Sequence, residues 1–293
     1  LRGNYDQRLN KIYWWWTNGV WRWDWKFKSK ITGKTSFVGE VSFGPRGAGQ
    51  SIPDVDGQSF HIQNLYATYA ASDKLSLTAG YMGTFVGYEV ISPLANFHYS
   101  TSYLFTTGPF QNAGIKANYT VSSKVGLMVG LFNDQWNTYK ATPEFGLNAF
   151  GAQLTLTPAE GLTAYFNLLT GSESGTIVDL TAAYQVSPKF KLGLNAADFS
   201  GVESGSGYSG IALYPSVAIS DSFGLGLRAE SFKSKTLDTS VSAFTLSANL
   251  KSGGLTFIPE IRLDSASEDS FYKSNGNPTK SASQFAVAMV YGF

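Results

Sequence analysis

The chain has 293 residues, a formal net charge of +1 and no cysteine; aromatic residues make up 15% and charged residues only 15%, against about 25% charged in soluble domains. The near-neutral charge gives no reason to expect nucleic acid as a partner, and the missing cysteines exclude disulfide frameworks and thiolate metal sites. Few charges beside many aromatics and 31 glycines imply a large surface that need not face water, yet no run approaches the roughly 20 apolar residues of a membrane-spanning helix.

The first ten residues, LRGNYDQRLN, are polar and form no signal peptide, so an exported chain would carry them in its mature form. The stretch WRWDWKFK (21–28) then places a large ring at every odd position and a charge at every even one. This period of two, the mark of a strand with unlike faces, recurs along the chain. In GLTAYFNLLTG, Leu162, Ala164, Phe166 and Leu168 oppose Thr163, Tyr165 and Asn167. Val178, Leu180 and Ala182 oppose Asp179 and Thr181; Phe190, Leu192 and Leu194 oppose Lys191, Gly193 and Asn195. Phe223, Leu225 and Leu227 oppose Gly224, Gly226, Arg228 and Glu230, and Phe257, Ile261 and Leu263 oppose Glu260, Arg262 and Asp264. The alternation predicts sixteen strands, at 10–17, 20–31, 34–44, 58–71, 74–86, 110–121, 124–133, 146–157, 161–171, 176–186, 189–200, 207–219, 222–233, 240–251, 254–265 and 282–293. Only 58–71 alternates poorly and leaves its facing open.

The connections sort by length. Short ones lie at 32–33, 72–74, 122–124, 158–161, 187–189, 220–222 and 252–254; the other set, at 45–56, 87–109, 134–144, 172–175, 201–206, 234–239 and 266–281, is mostly longer. Short turns on one side and longer loops on the other, with both termini on the short side, describe an outer-membrane barrel. A bilayer offers backbone amides no water, so a spanning sheet must close on itself. Sixteen strands enclose an aqueous channel, which accounts for charges on one face and rings on the other. A soluble β-sandwich would bury the apolar face equally well, but not with segregated connections, charges on the polar face strand after strand, and no domain break. The fold expected is all-β: one transmembrane antiparallel up-and-down β-barrel over residues 1–293. In the last strand Phe285, Val287, Met289, Tyr291 and Phe293 share a face; Phe285, Met289, Tyr291 and the terminal Phe293 read as the signal through which barrel assembly machinery receives the chain.

The stretch TAGYMGTFVGYEVISPLANFHYSTSYLFTTGPFQNAGIKANY (78–119), with FGPRG (43–47), VDLTAAYQV (178–186), LRAESF (227–232) and PEIRLDSAS (259–267), resembles the OmpL-like beta-barrel porin family of Gram-negative bacteria, especially Bacteroidetes-type members. The likeness covers roughly residues 33 to 293. It implies a bacterial outer-membrane barrel with a pore function and no catalytic residues. The N-terminal part departs from the family pattern: six of the seven tryptophans lie between Trp14 and Trp25, and only TNG stands where a long external loop would be expected.

Little in the chain supports enzymatic chemistry. The two histidines are His61 and His98; Ser100 and Ser102 are near His98 in sequence, but no orienting acid or oxyanion site accompanies them. No phosphate loop, paired-carboxylate motif or metal spacing is present, and DVD (54–56) and SEDS (267–270) read as solvated acidic loops, so no cofactor and no metal are expected. A plugged active transporter would exceed this length. The segment 87–110 stands out, because Glu89, Phe97, His98, Tyr99, Tyr103 and Phe105 lie in a loop too apolar to hang in water. It occupies the third external position and is expected to fold inward and narrow the pore, with Glu89 and His98 turned toward passing solute and Lys116, Arg228 and Arg262 on the opposite wall. The lumen is expected to be wet, lined by Glu40, Lys116, Asp179, Lys191, Arg228, Glu230, Glu260, Arg262 and Asp264, and weakly ion-selective because its signs balance. The reading favoured is passive diffusion of small hydrophilic solutes. The alternative is a non-conducting barrel serving as scaffold or subunit of an envelope complex. The partners expected are outer-membrane lipid, lipopolysaccharide, the assembly machinery and other envelope proteins.

Overall fold

In the computed structural model, residues 10–17, 20–43, 60–137 and 146–292 are described; for residues 10–17, 20–24, 60 and 61 the backbone alone is described. The strands are β1 (Asn10–Thr17), β2 (Val20–Lys30), β3 (Thr35–Phe43), β4 (Phe60–Ala70), β5 (Leu75–Gly83), β6 (Gln111–Thr120), β7 (Val125–Phe132), β8 (Ala149–Ala159) and β9 (Leu162–Gly171). They continue as β10 (Gly175–Gln185), β11 (Phe190–Ser200), β12 (Gly207–Ala218), β13 (Phe223–Ser234), β14 (Thr239–Ser252) and β15 (Leu255–Ala266). A small hairpin of β16 (Phe271–Tyr272) and β17 (Pro278–Thr279) precedes β18 (Ser281–Gly292). Among the described residues sixteen strands form one antiparallel barrel, and the pairing of β1 with β18, from Tyr13↔Gly292 to Thr17↔Ala288, closes it. Among the described residues no helix is long and apolar enough to cross a membrane. The sixteen predicted strands correspond to these within a few residues; the hairpin inside 266–281 was not expected.

The pleat sorts side chains as the alternation requires. On β14, Phe244, Leu246 and Leu250 are exposed on the outside while Thr245, Ser247 and Asn249 are buried inside. On β18, Phe285, Met289 and Tyr291 lie on the outer face and Ala286, Ala288 and Val290 are buried within. Phe293, the loop 45–56, and residues 138–144 lie outside the described residues. The poor alternation in 58–71 has a local cause. Glu40 pairs with Asn64 but Val41 pairs with Ile62, so Gln63 is an extra residue in the β3–β4 register. This β-bulge inserts one residue and reverses the facing on either side of it.

Four of the seven short connections share a chemistry. Thr32, Ser72, Ser122 and Ser187 each stand two residues before a lysine, and each side-chain oxygen accepts that lysine's backbone amide; in three of them it also takes the next amide, as Ser72 does from Lys74 N at 3.2 Å and Leu75 N at 3.1 Å. A hydroxyl that satisfies two orphan amides favours a tight turn. The repeat also sets Lys34, Lys74, Lys124 and Lys189 on the short-turn rim.

Candidate functional site

The connection between β5 and β6, residues 84–110, folds into the barrel. An irregular backbone enclosed there needs partners for its amides and carbonyls, and the inward faces of β10–β15 supply them. Three wall carboxylates do most of this. Asp179 accepts from Gly87 N at 3.0 Å while bound by the amides of Asn167 and Asn195. Glu260 accepts from Tyr99 N at 2.9 Å and Ser100 N at 3.0 Å. Glu230 accepts from Tyr103 N at 3.0 Å and Leu104 N at 2.9 Å, the first amides of the short helix α1 (Tyr103–Thr107). Each is a charge-assisted bond, stronger than a neutral one.

Arg228 is fully buried and ties the loop to β13. Its Nη1 meets Glu89 Oε1 at 3.0 Å and Ser100 O at 2.6 Å, and its Nη2 reaches Ser100 Oγ, Thr101 O and Thr245 Oγ1. Glu89 also accepts from the amide and hydroxyl of Ser102, whose hydroxyl in turn caps α1 through Phe105 N. Arg262 donates to Thr101 O at 2.7 Å while paired with Asp264, and its guanidinium lies 4.9 Å above the Tyr103 ring.

The loop's rings lie where the wall has no side chain. A Cβ on Gly226 would lie 2.4 Å from the Phe97 ring, one on Gly193 2.3 Å from the Tyr88 hydroxyl, and one on Gly151 2.7 Å from Phe85. These inward glycines give the loop a smooth surface at which to approach closely. Around them Val86, Leu104, Phe132, Leu169, Tyr208, Tyr214 and Phe232 form a buried apolar cluster inside the barrel. Tyr88 stacks on Tyr214 at 4.5 Å, and burial together with the neighbouring Glu89 raises its phenol pKa. His98 bonds Ser247 Oγ at 2.7 Å, and burial, helped by Arg228 and opposed by Glu260, pushes its pKa down to about 4.

A family model described as "Putative beta-barrel porin-2, OmpL-like" matches residues 12–293. The chain belongs to this family. Among solved structures, OprB of Pseudomonas putida aligns at TM-score 0.66 with 12% identity over 99% of this chain and 94% of that one. OmpF of Salmonella typhi, in complex with daunomycin, aligns at 0.65 with 12% identity over 97% and 96%. The anion-selective porin of Comamonas acidovorans aligns at 0.64 with 11% identity over 97% of both. At such identities these likenesses speak for the barrel fold. No curated protein shows significant sequence similarity. As a member of the OmpL-like porin family, the protein is an outer-membrane β-barrel channel.

Within this OmpL-like porin the residues singled out from sequence fall into two groups. Glu89, Phe97, His98, Tyr99, Tyr103 and Phe105 are carried by the inward loop; Glu89 and His98 are largely buried against the wall, and both line the cavity beneath the loop. Asp179, Arg228, Glu230 and Glu260 point inward yet are also buried, taken up by the loop's backbone, and Arg262 with Asp264 stands beside them. Arg228 and Arg262 therefore hold the loop and do not face it across open water. On the other side of the barrel Glu40 pairs with Lys26 at 2.9 Å and accepts from Asn64. Lys116 and Lys191 have no ion-pair partner among the described residues. Sequence reasoning missed Gly151, Gly193, Gly226, Asn195, Ser247 and Asn249. Their inward parity was visible; that a loop rests on them was not. Among the described residues no group of three or more His, Asp or Glu side chains could hold a metal ion.

Proposed function

We propose that the barrel passes small hydrophilic solutes by diffusion, through a water-filled passage bounded on one side by the loop 84–110 and on the other by β2–β7. The observation that carries this reading is one-sided attachment. Gln153 on β8 donates to Phe85 O at 3.2 Å, and every hydrogen bond described above between the loop and the wall goes to β10–β15, while Lys26, Glu40 and Lys116 stand on the far wall. A loop held to one wall narrows a lumen without sealing it. We read the channel as non-enzymatic. His98, Ser247 and Glu260 do form a chain, but the serine hydroxyl stands between imidazole and carboxylate and donates to Glu260 at 2.7 Å. A nucleophile needs the histidine in the middle, oriented by the acid.

Single-channel recording of the reconstituted barrel with a series of neutral sugars tests this. Conductance is expected, with a size limit that rises when 92–104 are deleted. A correctly folded barrel that passes no ions would favour the scaffold role instead, and an unchanged conductance in the deletion variant would remove the loop from the passage.

A further inference from the structure

The inward charges balance by count, but not by which of them meet water. The carboxylates are engaged: Glu40 with Lys26, Glu89 with Arg228, Asp264 with Arg262, and Asp179, Glu230 and Glu260 with loop amides. The two arginines are engaged with them. Without an ion pair among the described residues are Lys28 on β2, Lys116 on β6, Lys191 on β11 and Lys251 on β14, and one further buried carboxylate, Asp134, which lies just past β7 and lines neither cavity described below.

Two of these lysines converge. A cavity of about 380 Å3 lies beneath the loop on the short-turn side, roofed by residues 93–98, and Lys191 and Lys251 both line it. A second cavity of about 280 Å3 adjoins it toward the rim; it is lined again by Lys191 and Lys251, and also by Lys189. Phe97, Ser216 and Asn249 are likewise common to both, so the two spaces adjoin and share Lys191 and Lys251 in their walls. The carboxylates at their walls are Glu89, already bound to Arg228 and Ser102, and Asp221, on the rim turn. Ser216 and Thr256 offer hydroxyls, while Leu94 and Ile258 supply an apolar wall.

We propose that this chamber is a binding site for small organic anions, a carboxylate held between Lys191 and Lys251 with its apolar body against Leu94 and Ile258. This deepens the channel reading above by naming a solute class, and it rests on that reading for its role in transport. Two ammoniums that lack protein counter-charges favour an anion, and a partly apolar chamber favours one with a hydrocarbon part over a bare inorganic ion.

Equilibrium titration of the detergent-solubilised barrel with benzoate, and with its neutral isostere benzamide, tests the site without requiring conductance. Benzoate is expected to bind saturably and benzamide not. The double substitution Lys191→Gln/Lys251→Gln is expected to weaken benzoate about tenfold, and Lys124→Gln, on the rim outside the chamber, to leave it unchanged. Equal binding of the two probes to the wild-type barrel overturns the proposal whether or not any variant folds. So does an equal loss in Lys124→Gln, which would mark a diffuse field of rim lysines. Charge-dependent binding in a barrel that passes no ions would sink the channel reading and leave the site standing; conduction without such binding would do the reverse.

Discussion

Phe97 occupies the space a side chain at position 226 would need: a Cβ on Gly226 would lie 2.4 Å from its ring. The loop's seat therefore depends on a residue with no side chain, on a strand that also turns Gly224, Arg228, Glu230 and Phe232 inward. Gly226→Leu is expected to drive Phe97 off the wall, since overpacking a filled site costs about 1–3 kcal/mol. Residues 93–98 would then become accessible to chymotrypsin, and channel noise would rise. Phe97→Ala in the same chain should relieve the clash. If the double variant is as perturbed as Gly226→Leu alone, the two residues do not share this space.

Arg228 and Glu89 make the buried ion pair of the site. Removing one partner of such a pair strands the other, at a cost of about 3–5 kcal/mol. Arg228→Met should lower the urea midpoint of the reconstituted barrel or release the loop, and Arg228→Met/Glu89→Leu should recover part of the loss. Ser100 O and Thr101 O also lose a donor in both variants, so recovery is expected to be incomplete. A double variant that loses as much as Arg228→Met and Glu89→Leu lose separately, added together, would show that the pair is not coupled.

How much of this was legible in the sequence depends on the kind of interaction. The strands, their facing and the side on which connections are short follow from period-two alternation and turn chemistry, which are local. The bulge at Gln63 was visible only as a failure of alternation. The inward course of 84–110 could be argued from its aromatics and its place in the order of loops. What the loop touches could not, because Glu260 meets Tyr99 across 161 residues and Arg228 meets Glu89 across 139. Buried side chains on the lumen face look, in sequence, the same as wet ones. For that reason sequence reasoning could not separate the buried Asp179, Arg228, Glu230 and Glu260 from the lumen charges that meet water. A thiol introduced at Gly226 lies under Phe97, so Lys116→Cys is the better water-facing probe against Leu246→Cys on the lipid face.

The pH dependence of the loop has a definite sign. His98 in the folded barrel protonates only near pH 4, well below its ordinary value of about 6.5. A group whose folded value is depressed by burial as a neutral base binds more protons when released. Its contribution to stability is full above about pH 6.5 and falls as the pH drops toward 4, by up to roughly 3 kcal/mol. Loop opening, read as current flicker or protease sensitivity, should increase over that window, and His98→Gln should flatten the part due to this residue. A wild-type profile that stays flat from pH 7 to pH 4 would contradict the assignment.

Glu230 and Glu260 hold different parts of the loop, and isosteric substitution separates them. Each carboxylate uses both oxygens to accept two consecutive backbone amides: Tyr103 and Leu104 for Glu230, Tyr99 and Ser100 for Glu260. A glutamine has the same shape but one acceptor, so its NH2 must face a backbone N–H. One amide is then left buried without a partner, which costs about 1–3 kcal/mol. Glu230→Gln should loosen the start of α1, and amide exchange should quicken at residues 103 to 107 while 98 to 100 stay protected. Glu260→Gln should do the opposite, and it should also disturb His98 through Ser247, whose hydroxyl donates to Glu260 at 2.7 Å. The two substitutions act on separate amide pairs, so their effects on the urea midpoint should add. If either one releases the whole of 84–110 in a single step, the loop is one cooperative unit and the wall carboxylates are not independent latches.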